Sequence, residues 1–403
     1  MSNRETSFPI LPVAAATTLN FVSYLDRVCM SAAAPRMRVE FGLTATELGW
    51  VFGVFSLSYA ILQTPWGMLS DRLGGRSVIT VAVSGWSVMT AMTAAAIGLR
   101  SLLGIRLAFG ALEAGLSPAV ASIFKQLVPA RLRSFSFGVF LSGGRLGGAI
   151  APPIAAALVL WRGWRSAFLL FAVLGLAATV FWASAMRQQS SHKQAVFVNL
   201  DWRMLLSTRV LALLVAVFAY TFMWQFYATW FITYLVEDRH LSLQRAAGYA
   251  SAPFVFGFAG NWAGGYLLDR FAAASGVAKS RSVLGFVSLL SAAVILLVGT
   301  HDPLRSRAAW EISVAAGLGD LFLAAAWTSA IDVDSARAGA IAGLMNSSSN
   351  FGAMVSPIVI GWAIDRSADW KSVMLLPVVA TVLSAVVWPA VNGMGRTQTV
   401  SVL

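Results

Sequence analysis

The segment GMLSDRLGGR, at residues 67–76, decides the fold, because it is a short charged stretch between two long apolar runs. A related segment, GYLLDR, occupies residues 265–270 and again follows a long apolar run. The pattern G-x-L-x-D-R thus recurs 198 residues later in the chain. Self-similarity at a fixed separation indicates an internal duplication, which is common in membrane transport folds.

A second repeated pattern, S-x4-G-x4-P, supports the duplication. Its two copies are separated by 205 residues and lie in corresponding apolar runs. Either match alone is a weak signal, because Gly and Ser are common residues. Their agreement in place and order predicts a duplicated unit of six apolar runs. The residues of the two copies are Ser142, Gly147 and Pro152, and Ser347, Gly352 and Pro357.

The composition is that of a membrane protein. Of 403 residues, 58% are hydrophobic and 11% are charged, whereas soluble domains carry about 25% charged residues. We expect twelve membrane-spanning helices, since the apolar runs reach the ~20 residues that a bilayer core requires and do not alternate like barrel strands. Nine runs lack Asp, Glu, Lys, Arg and His: 6–25, 48–70, 77–99, 166–186, 210–236, 246–268, 282–300, 338–364 and 372–395. Three hold isolated charges: roughly 102–124, 134–161 and 308–330. The first predicted span continues past Asp26 and Arg27 to about Ala34.

Several other classes of protein are excluded or disfavoured. A single cysteine, Cys29, rules out a disulfide framework. The net charge of +12 is not arranged as a basic stripe with interleaved aromatics, so we expect no nucleic-acid partner. Walker A, H-E-x-x-H and G-x-S-x-G motifs are missing, which argues against an ATP-driven pump and against an enzyme. We expect no metal and no cofactor.

The polar, basic stretch 187–208 divides the chain into two six-helix bundles, 1–186 and 209–403. The predicted fold is an all-α polytopic membrane protein with two pseudo-symmetric bundles around a central cavity. Outside the spans, 15 Lys and Arg lie on the side of the termini and 11 on the other side. The positive-inside rule therefore predicts that both termini are cytoplasmic. The first run lacks a signal-peptide cleavage site and is predicted to be the first span.

The segment 67–76 resembles the signature loop of the major facilitator superfamily. Within that superfamily the chain resembles the anion:cation symporters, which include bacterial sugar-acid transporters and vesicular glutamate and sialic acid carriers. The resemblance covers nearly the whole chain and implies a monomeric inner-membrane protein that moves an organic anion with protons. It rests on the segments YLDR (24–27), RLAFGALEAGLSPA (106–119), WFITYL (230–235) and GLMN (343–346), with Tyr59, Asn350 and Pro357.

Charged side chains within the spans are candidate functional residues, because each costs at least about 2.5–3.5 kcal/mol at the bilayer centre. We hypothesise that Arg27 and Arg106 hold the substrate carboxylate, since guanidinium offers two parallel donors and keeps its charge. Asp26 and Glu113 would carry the coupling protons. The family resemblance assigns the same roles. The alternative is a neutral ion pair, of Asp26 or Glu113 with an arginine, that only holds helices together.

Arg145 and Asp320 are the remaining charges within spans. Arg145 either contacts substrate or pairs with Asp320 across the two halves. The related sugar-acid transporters commonly have a polar amide where this chain has Gly144. That departure leaves sugar-acid specificity open, and a third cation would suit a substrate with two anionic ends.

Polar and aromatic residues in the spans are further candidates for substrate contacts. Asn346 and Asn350 lie one helical turn apart and share a face, where they would bind hydroxyls or join helices. The other candidates are Tyr59, Gln225 and Trp224; for Trp224, and for Trp230 nearby, packing is the alternative.

The charged repeat segments predict conformational latches on the cytoplasmic side rather than substrate contacts. Asp71 would bond the N-terminus of a neighbouring helix. Gly143, Gly144, Gly147 and Gly148 predict close helix approach, for sliding or for static packing. The latch residues are Asp71, Arg72 and Arg76 in the first half and Asp269 and Arg270 in the second.

Three functions compete at this point. The first is an anion:proton symporter that imports a sugar acid such as galactonate, glucarate or a hexuronate, with aromatic acids and dicarboxylates as further substrates. The second is an exporter of drugs or organic anions; three arginines within the spans argue against cationic drugs. The third is a membrane enzyme or sensor, but the sequence contains no set of residues typical of a catalytic site.

Overall fold

A computed structural model describes residues 9–129, 132–186, 207–333, 338–367 and 369–391, and these are almost entirely helical. The helices of the first half of the chain are α1 (Ile10–Phe41), α2 (Ala45–Leu73), α3 (Gly75–Thr93), α4 (Leu99–Glu113), α5 (Leu116–Leu127), α6 (Arg133–Arg162) and α7 (Trp164–Ala185). Those of the second half are α8 (Thr208–Thr229), α9 (Phe231–Glu237), α10 (Leu243–Ser275), α11 (Val277–His301), α12 (Arg305–Asp332), α13 (Ala338–Ser367) and α14 (Trp370–Val387), followed by a 3₁₀ turn (Trp388–Val391).

Eight helical segments in the described part of the chain are long and apolar enough to cross a membrane. They are Ala45–Ser70, Leu99–Leu127, Phe135–Arg162, Trp164–Ala185, Thr208–Thr229, Val277–His301, Arg305–Ala330 and Trp370–Val391. The other four predicted spans fall on α1, α3, α10 and α13, which have 32, 19, 33 and 30 residues. These four are long enough for a bilayer core at 1.5 Å per residue, but Gly, Ser, Thr and charged residues lower their hydropathy.

Two of the predicted spans are each built from two helices. The span near 102–124 divides into α4, which ends at Glu113, and α5, which begins at Leu116. Pro118 is the third residue of α5, and it has no N–H to donate to the carbonyl of Ala114. The break places Glu113 at a helix end. The span near 210–236 likewise divides around Trp230, between α8 and α9.

The described residues group into two compact units. The first unit holds the chain up to residue 186 together with 225–255 and 353–373. The second holds residues 207–224, 256–352 and 374–391 where they are described. Helices α8, α10, α13 and α14 contribute residues to both units. The boundary predicted at 187–208 lies largely outside the described residues and stays a prediction.

Glycine contacts repeat between the two halves of the chain. In the first unit, a Cβ on Gly147 of α6 would collide with the carbonyl oxygen of Phe21 in α1. In the second unit, a Cβ on Gly352 of α13 would collide with the carbonyl oxygen of Phe218 in α8. Gly147 and Gly352 are the central residues of the two S-x4-G-x4-P copies, so the repeated pattern marks the same helix contact in each half.

The same relationship holds for a second helix pair. Gly110 of α4 lies against the carbonyl of Phe55 in α2, and Gly317 of α12 lies against the carbonyl of Phe256 in α10. Small residues permit such backbone approaches in membrane helix bundles. These matched contacts support the predicted duplication.

The glycine run of α6 packs directly on α1, as its composition predicts. A Cβ on Gly143 would meet the carbonyl of Thr17, and one on Gly144 would meet the ring of Tyr24. The amide of Asn20 donates to the carbonyl of Phe140 at 2.8 Å and joins the same two helices. Close helix approach is therefore confirmed, and sliding of these helices stays a prediction.

Candidate functional site

An ion pair between α1 and α4 forms the centre of the candidate site. Arg27 Nε lies 2.7 Å from Glu113 Oε1, and the hydroxyl of Ser23 donates to the same oxygen at 2.5 Å. Ser23 and Arg27 are four residues apart and therefore share one face of α1. Glu113 is 1% exposed, so its carboxylate is held by donors from one neighbouring helix inside the first unit.

Aromatic rings surround the guanidinium of Arg27. Its central carbon lies 5.2 Å from the ring centroid of Tyr24, 4.9 Å from that of Phe55 and 5.0 Å from that of Tyr59. Each such cation–π contact contributes about 0.5–2 kcal/mol, more where water is excluded. Tyr59, a predicted substrate contact, is thus placed beside a predicted substrate-binding arginine.

Arg106 is buried on α4, two helical turns before Glu113. Its guanidinium lies 5.2 Å from the centroid of Phe55 and 4.9 Å from that of Phe109. Among the described residues, Arg106 Nε has no hydrogen-bond partner. A buried cation with an unused donor is costly unless an anion compensates it, so Arg106 has the properties expected of an anion-binding group.

Asp26 points away from Arg27, as neighbouring residues on a helix must. Its carboxylate is buried and lies near Trp86 and Thr90 of α3, within electrostatic range of Arg106 and Glu113. Neither carboxylate oxygen accepts a hydrogen bond within the described residues. The two adjacent charges of α1 therefore serve different surroundings: Arg27 contacts α4, and Asp26 faces α3.

The four charges Asp26, Arg27, Arg106 and Glu113 sum to zero when all are ionised. The geometry includes the neutral Arg27–Glu113 pair that the sequence left as an alternative. Addition of one proton to either carboxylate would give the cluster a net charge of +1. A positive, largely buried cluster attracts an anion strongly because the local dielectric constant is low.

The second unit contains a small cavity of about 40 Å³, whose lining is mainly apolar with a few polar side chains. Thr221 of α8 and Ser349 of α13 lie in its wall with their hydroxyl oxygens 2.8 Å apart. Asn346 lines the same cavity. The amide of Asn350 donates to the backbone carbonyl of Asn346 at 2.9 Å, so this side chain bonds its own helix. The space suits a few water molecules.

The other predicted contacts lie at separate places. Trp224 and Gln225 are half-buried on α8, and Arg145 is half-buried on α6. Trp230 is fully buried, and its indole N–H donates to the carbonyl of Pro357 at 3.1 Å. For Trp230 the geometry supports the packing role. Pairing of Arg145 with Asp320 stays a prediction.

The predicted cytoplasmic latches receive no direct support from these contacts. Arg76 Nη2 donates to the carbonyl of Ala183 at 3.3 Å, which ties α3 to α7. Arg72, Asp269 and Arg270 are exposed. The side chain of Asp71 lies outside the described side chains, so its predicted bond to a helix N-terminus stays a prediction.

A helix-capping contact that the sequence did not reveal lies at the opposite end of α2. Asp365 of α13 accepts hydrogen bonds from the backbone N–H groups of Ala45 at 2.9 Å and Thr46 at 2.7 Å, and from the Thr46 hydroxyl at 2.6 Å. Close by in the same unit, Arg38 pairs with Glu237 at 2.9 Å. Asp365 lies in the last turn of α13, just after an uncharged run, and nothing in the sequence indicates its partner.

Comparison with known proteins identifies the class. The family model of the Major Facilitator Superfamily matches residues 16–357. The computed fold is similar to the crystal structure of a bacterial homologue of the human lysosomal transporter Spinster in its inward-facing, unoccupied conformation (TM-score 0.80, 18% identity, 96% of this chain and 98% of that chain). It is also similar to the nucleoside transporter NupG (TM-score 0.75, 14% identity, 94% and 99%).

Relatives in sequence narrow the class. The hexuronate transporter of Bacillus subtilis (strain 168) is 32% identical over 372 residues, 88% of each chain. The probable sulfoacetate transporter SauU of Cupriavidus necator is 30% identical and covers 87% of this chain and 86% of its own. The probable L-galactonate transporter of Escherichia coli (strain K12) is 27% identical, with 88% and 83% covered.

The chain belongs to the Major Facilitator Superfamily. It is a membrane transporter and not an enzyme. The predicted family, fold class and transport role are confirmed.

Proposed function

We propose that this protein is a proton-coupled symporter of the inner membrane that imports a sugar acid, with a hexuronate or an aldonate such as galactonate as its substrate. Relatives named as hexuronate, galactonate and glucarate transporters support this substrate class. In the proposed orientation both termini are cytoplasmic and the protein works as a monomer by alternating access.

The observation that carries the proposal is the ion pair between half-buried Arg27 and buried Glu113. While Glu113 is ionised, it occupies Arg27 and competes with a substrate carboxylate for that guanidinium. Protonation of Glu113 removes the competing charge, so that Arg27 and Arg106 can hold the substrate carboxylate through charge-assisted hydrogen bonds. Proton and anion then bind with positive coupling, which a symporter requires.

Asp26 supplies a second proton-binding carboxylate beside Arg106 in this scheme. It is buried beside Trp86 and Thr90 of α3, within electrostatic range of Arg106 and Glu113. The aromatic ring of Tyr59 holds Arg27 in place, and its hydroxyl is available to a substrate hydroxyl. Asn346, which lines the cavity of the second unit, is a candidate contact for substrate hydroxyls.

A second candidate is a short acid with two anionic ends. The 30% identity to a probable sulfoacetate transporter supports it. So does Arg145, a third cation in the spans, which follows Gly144 where related sugar-acid transporters have an amide. A short dianion would engage all three arginines and would have little need of Asn346.

Uptake into liposomes tests the proposal. Purified protein is reconstituted, and uptake of labelled galacturonate, galactonate and sulfoacetate is measured with the outside more acidic than the lumen. We expect uptake that a protonophore abolishes and that the Arg106→Gln variant lacks. Uptake that does not depend on the proton gradient would contradict proton symport. Transport of cationic drugs alone would support the exporter.

The choice between substrates comes from competition in the same assay. A sugar-acid transporter takes up galacturonate in a manner that excess galactonate inhibits and that Asn346→Leu weakens. A transporter of short dianions takes up sulfoacetate, is weakened by Arg145→Gln and is insensitive to Asn346→Leu.

A further inference from the structure

Asp320 is a fully buried carboxylate in the second half of the chain. It lies near the middle of α12, and the hydroxyl of Tyr220 in α8 donates a hydrogen bond to its Oδ1. Tyr220 is also buried. The contact joins α8 to α12 within the second unit.

This contact occupies the position that the Ser23–Glu113 contact has in the first half. Glu113 lies three residues after Gly110, and Asp320 lies three residues after Gly317. Both glycines are the close-approach residues of their helices. The matched spacing places both acids at the same point of the repeat.

The donors occupy matched positions as well. Ser23 lies two residues after Phe21, and Tyr220 lies two residues after Phe218. Gly147 of α6 packs on the carbonyl of Phe21, and the equivalent Gly352 of α13 packs on the carbonyl of Phe218. In each half, a hydroxyl of the first helix therefore donates to a buried carboxylate of the fourth span.

We propose that Asp320 is a second-half proton-binding carboxylate, equivalent to Glu113, whose protonation state sets the direction in which the Tyr220 hydroxyl donates. Ionised Asp320 accepts the hydrogen bond of Tyr220. Protonated Asp320 is itself a donor, so the phenol is released to donate to a water molecule or to a polar side chain of the cavity that Tyr220 lines. The inference extends the proposed function, because it adds a proton to the same transport cycle.

The cavity gives the proton a route to the site. Tyr220 lines the 40 Å³ space together with Thr221, Asn346 and Ser349. A water molecule in a space of that size can deliver a proton to Tyr220 and the carboxylate behind it. The proton adds to the Asp320 carboxylate, and the only charge change is the loss of one negative charge.

In the described part of the second unit, the charged residues other than Asp320 lie towards the ends of the helices. The segments 210–224, 256–268, 282–300, 338–352 and 374–391 contain no Asp, Glu, Lys, Arg or His. On α12 itself, Arg305, Arg307 and Glu311 lie in the first two turns, and Asp332 is the last residue. Arg145 is the remaining cation within a span, and its pairing with Asp320 is the alternative: a permanent pair would keep Asp320 ionised.

Infrared spectroscopy of the purified protein tests protonation directly. A difference spectrum between acid and neutral pH contains a carbonyl band for each buried carboxyl group that takes up a proton. We expect one such band to be lost in Asp320→Asn, retained in Asp320→Glu, and shifted in Tyr220→Phe, which removes the hydrogen bond and keeps the acid. Glu311→Gln, on the same helix, is the matched control.

Unchanged bands in Asp320→Asn would overturn the inference, as would an unshifted band in Tyr220→Phe. A fixed Arg145–Asp320 pair gives these results, and a charge-swapped double variant would then recover activity. In liposomes, we expect Asp320→Asn to lower the number of protons moved per substrate by one. Failure of the proposed function would give a different result, because wild-type uptake would then not depend on the proton gradient. The infrared bands could still be measured in that case, so the two failures can be distinguished.

Discussion

Half-buried Arg27 and buried Glu113 form an ion pair in which Nε and Oε1 are 2.7 Å apart, at the point where α4 ends. The pair joins a predicted substrate-binding residue to a predicted proton-binding residue. Since the same guanidinium cannot serve the glutamate and a substrate fully at once, the pair provides competition between an internal and an external carboxylate.

Replacement of Glu113 should separate proton coupling from substrate movement. Glu113→Gln keeps the shape of the side chain but removes the competing charge, so substrate binding should lose the part of its pH dependence that comes from Glu113. We expect proton-driven uptake to fall by about 5- to 150-fold, the usual range of a coupling free energy, while exchange of substrate persists. Counterflow and gradient-driven uptake in the same liposomes measure both. Full active uptake by this variant would remove Glu113 from the coupling mechanism.

Replacement of Arg106 should weaken substrate binding. Arg106→Lys keeps the charge but loses the planar pair of donors that fits a carboxylate. We expect the Kd for the substrate to rise by about 10- to 100-fold, because a hydrogen bond to a charged group contributes about 1.5–3 kcal/mol. Thermal-shift titration with the transported acid measures this change. Arg307→Lys, on an exposed side chain, is the control; equal affinity of both variants would contradict the assigned role.

Close packing of α6 on α1 should make Gly147 intolerant of a side chain. A Cβ at this position would collide with the carbonyl of Phe21, so we expect Gly147→Ala to lower the free energy of unfolding by about 1–3 kcal/mol. Gly138, on the same helix, has open space around it. Gly138→Ala should be neutral or slightly stabilising. Thermal melts in detergent compare the two, and equal Tm values would argue against the tight contact.

The contact of Asp365 with the start of α2 should persist down to strongly acidic pH. Desolvation raises the pKa of this carboxyl, but hydrogen bonds from the Thr46 hydroxyl and the Thr46 and Ala45 N–H groups outweigh it and leave the pKa below its ordinary value. A lowered pKa in the folded state gives stability that is present above the ordinary value of 3.8 and is lost as the pH falls through the lowered value.

Asp365→Asn should therefore weaken this end of the first unit at neutral pH and remove its response to acid. We expect a loss of about 1 kcal/mol, typical of a helix cap, seen as faster hydrogen exchange at the Ala45 and Thr46 amides. Asp269→Asn, at another exposed aspartate, is the control. Exchange rates that match the wild type at pH 7 would show that the contact does not restrain α2.

The distribution of apolar runs and the repeated patterns were sufficient to predict the helices, their duplication and the family, because bilayer thickness and close helix packing impose regular lengths and spacings. The intramembrane charges were also visible in the sequence, since a charge within an apolar run is rare and costly. The different directions in which the side chains of Asp26 and Arg27 point followed from helical geometry alone.

Other features depended on the tertiary structure. The partner of Arg27, the break after Glu113 and the contact between Asp365 and α2 depend on helices that are distant in the chain. The equivalence of Ser23–Glu113 and Tyr220–Asp320 joins a serine to a glutamate and a tyrosine to an aspartate, so no repeated letter marks it. Sequence determined which residues lie on which helix and where charge enters the membrane; only the packing of the helices decided which charges meet, because a side chain reaches just a few ångströms and its neighbours are set by the contacts between helices.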